Sequence, residues 1–225
     1  MTPPAPPGVV LAADVAEVAA LGVLAFDTLA VAAADAALAA AMAEATAVLR
    51  AAAAPGDAFE ATRAMYRRFG IDPTRRRPSS EALLRRIRKG GELPRINTLV
   101  DVCNWCSVEV QLPYGLYDLD HVAGDVEVRM GLDGEAYPGI RKDEVHVARR
   151  PVVADRQGAF GNPTSDSART MVTPATTRAL VVVFAPRAAA RGRLARVLDL
   201  TSERVTRFTG GVERLRAVLG SPAAV

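Results

Sequence analysis

The spacing of apolar residues changes character along this chain, and each change predicts a different kind of element. Val9–Leu11 and residues 21–26 are short, unbroken apolar runs that predict two strands, the second continuing into Asp27-Thr28. From 29 to 54, alanine fills most positions around Leu29, Leu38, Met42, Val48 and Leu49, and its high helix propensity predicts a long helix. Pro55-Gly56-Asp57 breaks that helix. A shorter amphipathic helix follows over 58–69, closed by Gly70 where a left-handed C-cap belongs. Pro73 and Pro78 bracket the basic loop Thr74-Arg75-Arg76-Arg77. Ser79 and Ser80 offer N-caps for a helix through Glu81, Leu84 and Ile87 that stops at Gly90-Gly91. Leu99, Val102, Cys103, Cys106 and Val110 then recur at helical spacing over Thr98–Val110.

Beyond Leu112 the pattern turns to short β-branched segments at 126–129, 144–147, 151–154, 171–173 and 180–184. Turn signals at Asp133-Gly134, Gln157-Gly158 and Gly161-Asn162-Pro163 separate them. Two closing helices are expected at 188–198 and 202–218, the second broken near Gly210-Gly211. Helices on both sides of a block of strands predict an α+β fold. It divides into N-terminal strands and an alanine-rich helix (1–57) packed on a β-rich core (58–186), with a C-terminal helical segment (187–225) of the same domain.

Composition narrows the function classes. With 225 residues, 50% apolar and 24% charged, the chain is long enough for a sizeable core and too rich in apolar residues for a disordered tail. Two cysteines are too few for a secreted disulfide framework, which makes a reducing cytoplasm the expected compartment. The first basic residue is Arg50, so the proline-rich start that includes Pro3 is not expected to be a secretory signal. Asp35 and Glu44 interrupt the alanine run, which argues against a membrane span. The net charge of +3 conceals a strong asymmetry. From Arg63 to Lys89, nine arginines and one lysine stand against Asp72 and Glu81, a net +8. An arginine triplet beside Tyr66 and Phe69 suits contact with a nucleic-acid backbone; a solvated surface is the alternative.

The motif Cys103-Asn-Trp-Cys106 has the spacing of zinc and redox sites. A zinc site needs two more ligands, however, and only His121 and His146 are on offer, so both sulfurs are expected in a helix core and no metal is expected. No G-x-S-x-G, H-E-x-x-H or P-loop occurs, and Gly131-Leu-Asp-Gly134 reads as a turn.

One set of segments is more specific. Pro78-Ser-Ser-Glu-Ala-Leu-Leu-Arg-Arg86, Leu93-Pro-Arg-Ile-Asn-Thr-Leu-Val-Asp-Val-Cys-Asn104, Leu112-Pro-Tyr-Gly-Leu-Tyr-Asp-Leu-Asp120 and Gly124-Asp-Val-Glu-Val-Arg129 precede Gly134-Glu135 and Asp166-Ser-Ala-Arg-Thr170. With Thr173 and Thr176, their order and spacing over 59–184 resemble the B3/B4 editing domain of the phenylalanyl-tRNA synthetase beta subunit, here in free-standing form. The resemblance implies a stand-alone aminoacyl-tRNA deacylase that removes a wrong amino acid from the terminal adenosine of tRNA. No cofactor is implied, and mischarged tRNA is the implied partner. Asn104 and Pro113 match family positions. The family's Pro-x-His loop reads Pro113-Tyr114-Gly115 here, and the family glutamate that reads a tyrosine hydroxyl falls near Val182, so the amino acid removed need not be tyrosine.

On this reading Asn104, Asp166 and Thr173 are the candidate catalytic residues. Pro113, Tyr114, Gly115, Asp118, Ser167 and Arg169 are candidate substrate contacts, and Arg75, Arg76, Arg77, Arg85 and Arg86 are candidate RNA contacts. The loop 112–120 and the segment 166–173 are expected to converge on one cleft, with extra volume at Gly115 and a wall at Tyr114. The competing reading has the aspartates capping turns and pairing with Arg129 or Arg169. At the level of function, the alternatives are a non-catalytic module that binds an amino acid or an RNA acceptor end, and a purely structural subunit.

Overall fold

The computed structural model describes residues 4–52, 56–141, 143–189 and 191–220. Pro3 and the expected break at Pro55 lie outside the described residues. Strand β1 (Val9–Leu11) and a single turn, α1 (Ala13–Ala16), lead into β2 (Ala19–Asp27), followed by α2 (Ala36–Ala51), α3 (Gly56–Arg68), α4 (Ser79–Arg88) and α5 (Thr98–Val110). The middle of the chain forms β3 (Tyr114–Asp118), β4 (Val126–Met130), β5 (Ala136–Pro138), β6 (Glu144–His146), β7 (Pro151–Asp155), β8 (Gly158–Asn162), β9 (Ser165–Asp166) and β10 (Ala179–Pro186). Helix α6 (Arg191–Thr209) and strand β11 (Val212–Leu219) follow. The fold is α+β, and no described helix is long and apolar enough to cross a membrane.

The strands form a four-stranded antiparallel sheet ordered β11-β2-β10-β3, a five-stranded sheet ordered β1-β4-β7-β8-β9, and a two-stranded ribbon, β5-β6. Strands β2 and β10 read as unbroken apolar runs because they lie between two layers. Ala20, Leu24, Phe26, Val181 and Val183 pack with the helices α2, α4, α5 and α6. Their alternate neighbours Leu21, Val23, Leu180, Val182 and Phe184 pack with Val126, Val128, Val153 and Phe160 of the second sheet and with Met65, Tyr66 and Phe69 from the end of α3. Each face of the central sheet thus buries a separate apolar cluster.

Several local expectations are corrected. The alanine-rich helix begins at Ala36 instead of 29, because the Asp35 carboxylate accepts the Leu38 N–H (2.6 Å) and sets the helix start. Residues before it are tied to α5 by reciprocal bonds between Thr98 and Ala32. At α4 the N-cap is Pro78, which makes no side-chain cap bond, and Ser79 and Ser80 lie in the first turn. Residues 171–173 are irregular, following a 3₁₀ turn at Ala168–Thr170. The loop beginning at Leu112 is partly a strand, β3, hydrogen-bonded to β10. The last expected helix is instead one long α6 followed by β11, whose Leu215, Ala217 and Leu219 point into the inter-sheet cluster at period two.

Buried and partly buried carboxylates paired with arginines make the fold sensitive to acid. Glu81, 1% exposed, faces Arg63 (2.6 Å), Arg85 (2.8 Å) and Arg77 (3.3 Å). Burial pushes its pKa up, but the bonds from Arg63 and Arg85 outweigh that and leave it below the ordinary value. At Asp155 burial is likewise outweighed, by Arg169 and two backbone N–H groups. Arg129 holds Glu135 low against a smaller effect of burial. Groups whose folded pKa is depressed stabilise the fold fully above their unfolded values, about pH 4, and lose that contribution as pH falls through the folded values. The thermal midpoint is therefore expected to be insensitive to these groups between pH 8 and 5 and to fall below about pH 4. Glu81→Gln should cost about 1–2 kcal/mol at neutral pH and reduce the acid slope. A circular-dichroism melt with the same acid slope in the variant would rule this out.

Candidate functional site

The end strands of the two sheets, β3 and β9, approach each other, and a cavity of about 530 Å³ opens there against α5. One face of α5 supplies Val100, Cys103, Asn104 and Ser107, at helical spacing. Asn97 caps this helix by accepting the Val100 N–H (3.0 Å), so the face is set by local sequence. β3 supplies Tyr114 and Leu116, the residues on its helix-facing side. The turn between β8 and β9 supplies Asn162, Thr164, Ser165 and Asp166.

That turn is rigid for a chemical reason. Buried Asn162 accepts from the Thr164 N–H (2.7 Å), the Thr164 hydroxyl (2.6 Å) and the Ser165 N–H (3.1 Å). Its amide nitrogen donates to the Tyr137 hydroxyl (2.7 Å), which donates to the Ser165 carbonyl (2.6 Å). Asp166 is thereby presented at a fixed place, half-buried, facing Tyr117 and Tyr137. Burial first, and the Asp166 charge second, push both phenols well above their ordinary pKa.

Of the nine candidate catalytic and substrate residues, the structure brings Asn104, Tyr114 and Asp166 to this cavity. The Tyr114 ring forms a wall, and its hydroxyl donates to Thr201 Oγ1 (2.9 Å), which donates to the Val197 carbonyl (2.7 Å). The other six lie elsewhere or serve the scaffold. Buried Asp118 accepts from the Thr176 hydroxyl (2.6 Å) and the Asp120 N–H (3.0 Å), as a turn cap does. Arg169 is bound to Asp155 (2.8 and 3.0 Å) and the His121 carbonyl (2.8 Å), and lies over the Phe160 ring. Ser167 caps the 3₁₀ turn by accepting the Arg169 N–H, and Thr173 accepts from the Ala175 N–H in the following turn. Pro113 is buried, its carbonyl accepting the Phe184 N–H.

Gly115 leaves no extra volume. A Cβ built on it would stand 2.1 Å from the Tyr117 hydroxyl, and one on Gly161 would stand 2.3 Å from the same atom. The two glycines bracket the Tyr117 ring, which meets Phe160 edge-on at 4.9 Å. Val182 pairs directly with Gly115 across β3 and β10, and both look into the inter-sheet layer that this ring fills.

Cys103 and Cys106 are free, buried thiols on α5. Burial pushes Cys103 well above its ordinary pKa and Cys106 to about 11, the nearby Arg204 notwithstanding. Among the described residues no group of three or more His, Cys, Asp or Glu is placed to hold a metal ion.

The arginine loop forms a second concavity next to the first. Arg75, Arg76 and Arg77 line a groove of about 410 Å³ opposite Asp143, Glu144 and His146, and it shares Thr164 and Ser165 with the cavity. Arg75 is loosely paired with Asp72 (3.7 Å), and Arg76 is close enough to Arg150 to lower that guanidinium's pKa, after burial. Arg85 is held by Glu81, and with Arg86 it lies on α4 outside both concavities. Ser107, Arg141 and Met171, cavity residues that the sequence did not single out, carry no motif of their own, and Ile96 entered only as part of the segment 93–104. Asn162 entered only through the turn signal Gly161-Asn162-Pro163.

The comparisons with known proteins agree with this architecture. The chain is 34% identical over 146 residues to the phenylalanine–tRNA ligase beta subunit of Cutibacterium acnes, covering 62% of this chain and 17% of that one. It is 28% identical over 120 residues to the same subunit of Bartonella quintana, covering 52% and 15%. The match thus spans less than a fifth of either relative. The crystal structure of an N-terminal fragment of the phenylalanyl-tRNA synthetase beta subunit from Pyrococcus horikoshii superposes with a TM-score of 0.50 at 12% identity, over 94% of this chain and 52% of the fragment. That similarity is one of fold. The B3/4 domain model matches residues 61–224, from within α3 through the whole of β11, which takes in every strand except β1 and β2 and all the residues lining the cavity, and the chain belongs to the B3/4 domain family.

Proposed function

We propose that this chain, by itself, hydrolyses the ester of a mischarged amino acid on tRNA. The observation that carries the reading is the shared cavity: Asn104 and Asp166, far apart in sequence, line one cavity whose neighbouring groove holds Arg75–Arg77. An aminoacyl ester is already activated by its ammonium group and the neighbouring ribose hydroxyl. A site therefore needs only to exclude bulk water, orient one water molecule and place the carbonyl. In this proposal Asp166 binds the ammonium group, the Asn104 amide holds the attacking water, and Tyr114 bounds the side-chain space. The phosphates of the acceptor strand meet the arginine loop.

The deciding experiment incubates the purified chain with a panel of mischarged tRNAs and follows release of the amino acid. Loss of activity in Asn104→Ala with the fold intact supports the proposal. Absence of release from every tRNA refutes it. A second reading, a non-catalytic module for an amino acid or an acceptor end, is favoured by one observation: no histidine is among the described residues lining the cavity. Binding without hydrolysis would establish it.

The arginine loop has its own expected outcome. Changing Arg75, Arg76 and Arg77 together to alanine should weaken binding of different tRNAs by a similar factor. The slope of log K against log salt should become shallower by roughly 0.7 for each single-strand phosphate that the loop no longer neutralises. Filter binding at several salt concentrations measures both, and an unchanged slope would make the loop a solvated surface.

A further inference from the structure

The mouth of the cavity carries two exposed apolar side chains on separate segments, Ile96 at 54% and Met171 at 39% exposure. Most large apolar residues in this chain are buried, and the two exposed here line a concavity beside an arginine groove. Their backbone positions are preset. The Ile96 N–H donates to the buried Asp101 carboxylate (2.8 Å), and the side chain of Asn97 donates to the carbonyl of Val172, next to Met171 (3.4 Å). The two rim segments are therefore tied together before any ligand arrives. The cavity, about 530 Å³, is in the range that takes a whole small-molecule ligand, so it has room for more than an aminoacyl group.

We propose that Ile96 and Met171 form a clamp for the terminal nucleobase of the acceptor end. This deepens the editing proposal and rests on it. An apolar pair next to a cationic groove matches a nucleotide in its two halves: a flat base that gains from leaving water, and a phosphate that gains from guanidinium groups. Thr164 and Ser165, common to cavity and groove, lie where the ribose between base and phosphate must pass. Aliphatic contacts read a base face without reading its edge, so the clamp positions the ester and leaves amino-acid choice to the cavity walls.

The test compares two substrates of the same amino acid, the aminoacyl-tRNA found by the panel and the free amino acid's ethyl ester, which has no base. For Ile96→Ser with Met171→Gln, KM for aminoacyl-tRNA is expected to rise about tenfold with kcat changed less than twofold. The ethyl ester should be hydrolysed as by the unaltered chain. Adenosine 5′-monophosphate should compete with the ethyl ester on the unaltered chain and do so at least several-fold less well on the variant. Both positions are exposed, and a thermal melt establishes that the variant is folded; Ile96→Val with Met171→Leu should keep the original KM. An unchanged KM for aminoacyl-tRNA overturns the clamp while leaving the editing proposal standing. So does an equal loss on both substrates, which would make the rim part of the aminoacyl site. If the unaltered chain hydrolyses neither ester, the editing proposal fails, and the clamp fails with it.

Discussion

Asparagine at Asp166 is expected to raise KM for the aminoacyl-tRNA that this chain deacylates about 10- to 100-fold. The change removes a negative charge from the cavity wall while keeping the shape of the side chain. A hydrogen bond to a charged partner is worth about 1.5–3 kcal/mol, which corresponds to one to two orders of magnitude in affinity. The fold should tolerate the change, because the turn that carries Asp166 is organised by Asn162 through its bonds to residues 164 and 165. Asn104→Ala should behave differently, lowering kcat about 100-fold with little change in KM, since an oriented water matters in the transition state more than in the ground state. Steady-state kinetics separates the two. Equal effects on kcat in both variants would mean that Asp166 does not read the ammonium group. Full activity in both would remove the cavity from the mechanism.

The second large effect concerns stability. Gly115→Ala should destabilise the fold by about 3 kcal/mol, since the new Cβ would stand 2.1 Å from a hydroxyl whose ring is buried and packed against Phe160. For a chain of this length that is a fall of roughly 6–12 °C in Tm. The cause is testable by relief. Tyr117→Leu removes the obstructing ring at its own cavity cost, and the double variant should be less destabilised than the sum of the single changes. Strict additivity would place the strain elsewhere. A histidine at 115, the residue the family resemblance implies there, fits still less well. Restoring it would therefore require Tyr117 to change first.

Local patterns were legible where local physics decides the outcome. The α5 helix, with its apolar spacing, and the strands β2, β4, β7 and β10 follow from periodicity and propensity. The burial of Cys103 and Cys106 followed from their place in that helical pattern. β11 was missed. Its Arg214-Leu215-Arg216-Ala217-Val218-Leu219 sequence suits either period, and pairing with β2, nearly the whole chain away, selects the strand. The scaffold bonds of Asp118, Ser167, Arg169 and Thr173 were not legible for a related reason: a polar residue at a turn has the same sequence whether it caps the backbone, pairs with a distant partner such as Asp155, or faces a ligand.

The sequence by itself determined the α+β class, the basic loop and the family segments, since each depends on residues close together along the chain. Only the tertiary structure decided which polar groups share a cavity. Asn104 and Asp166 line one cavity because β3 and β9 end their respective sheets at the same place, against α5, and that juxtaposition arises from strand pairing across the whole chain, which no local pattern encodes. The same packing decided the space at Gly115: a missing side chain in the sequence became, in the folded protein, the room that Tyr117 occupies.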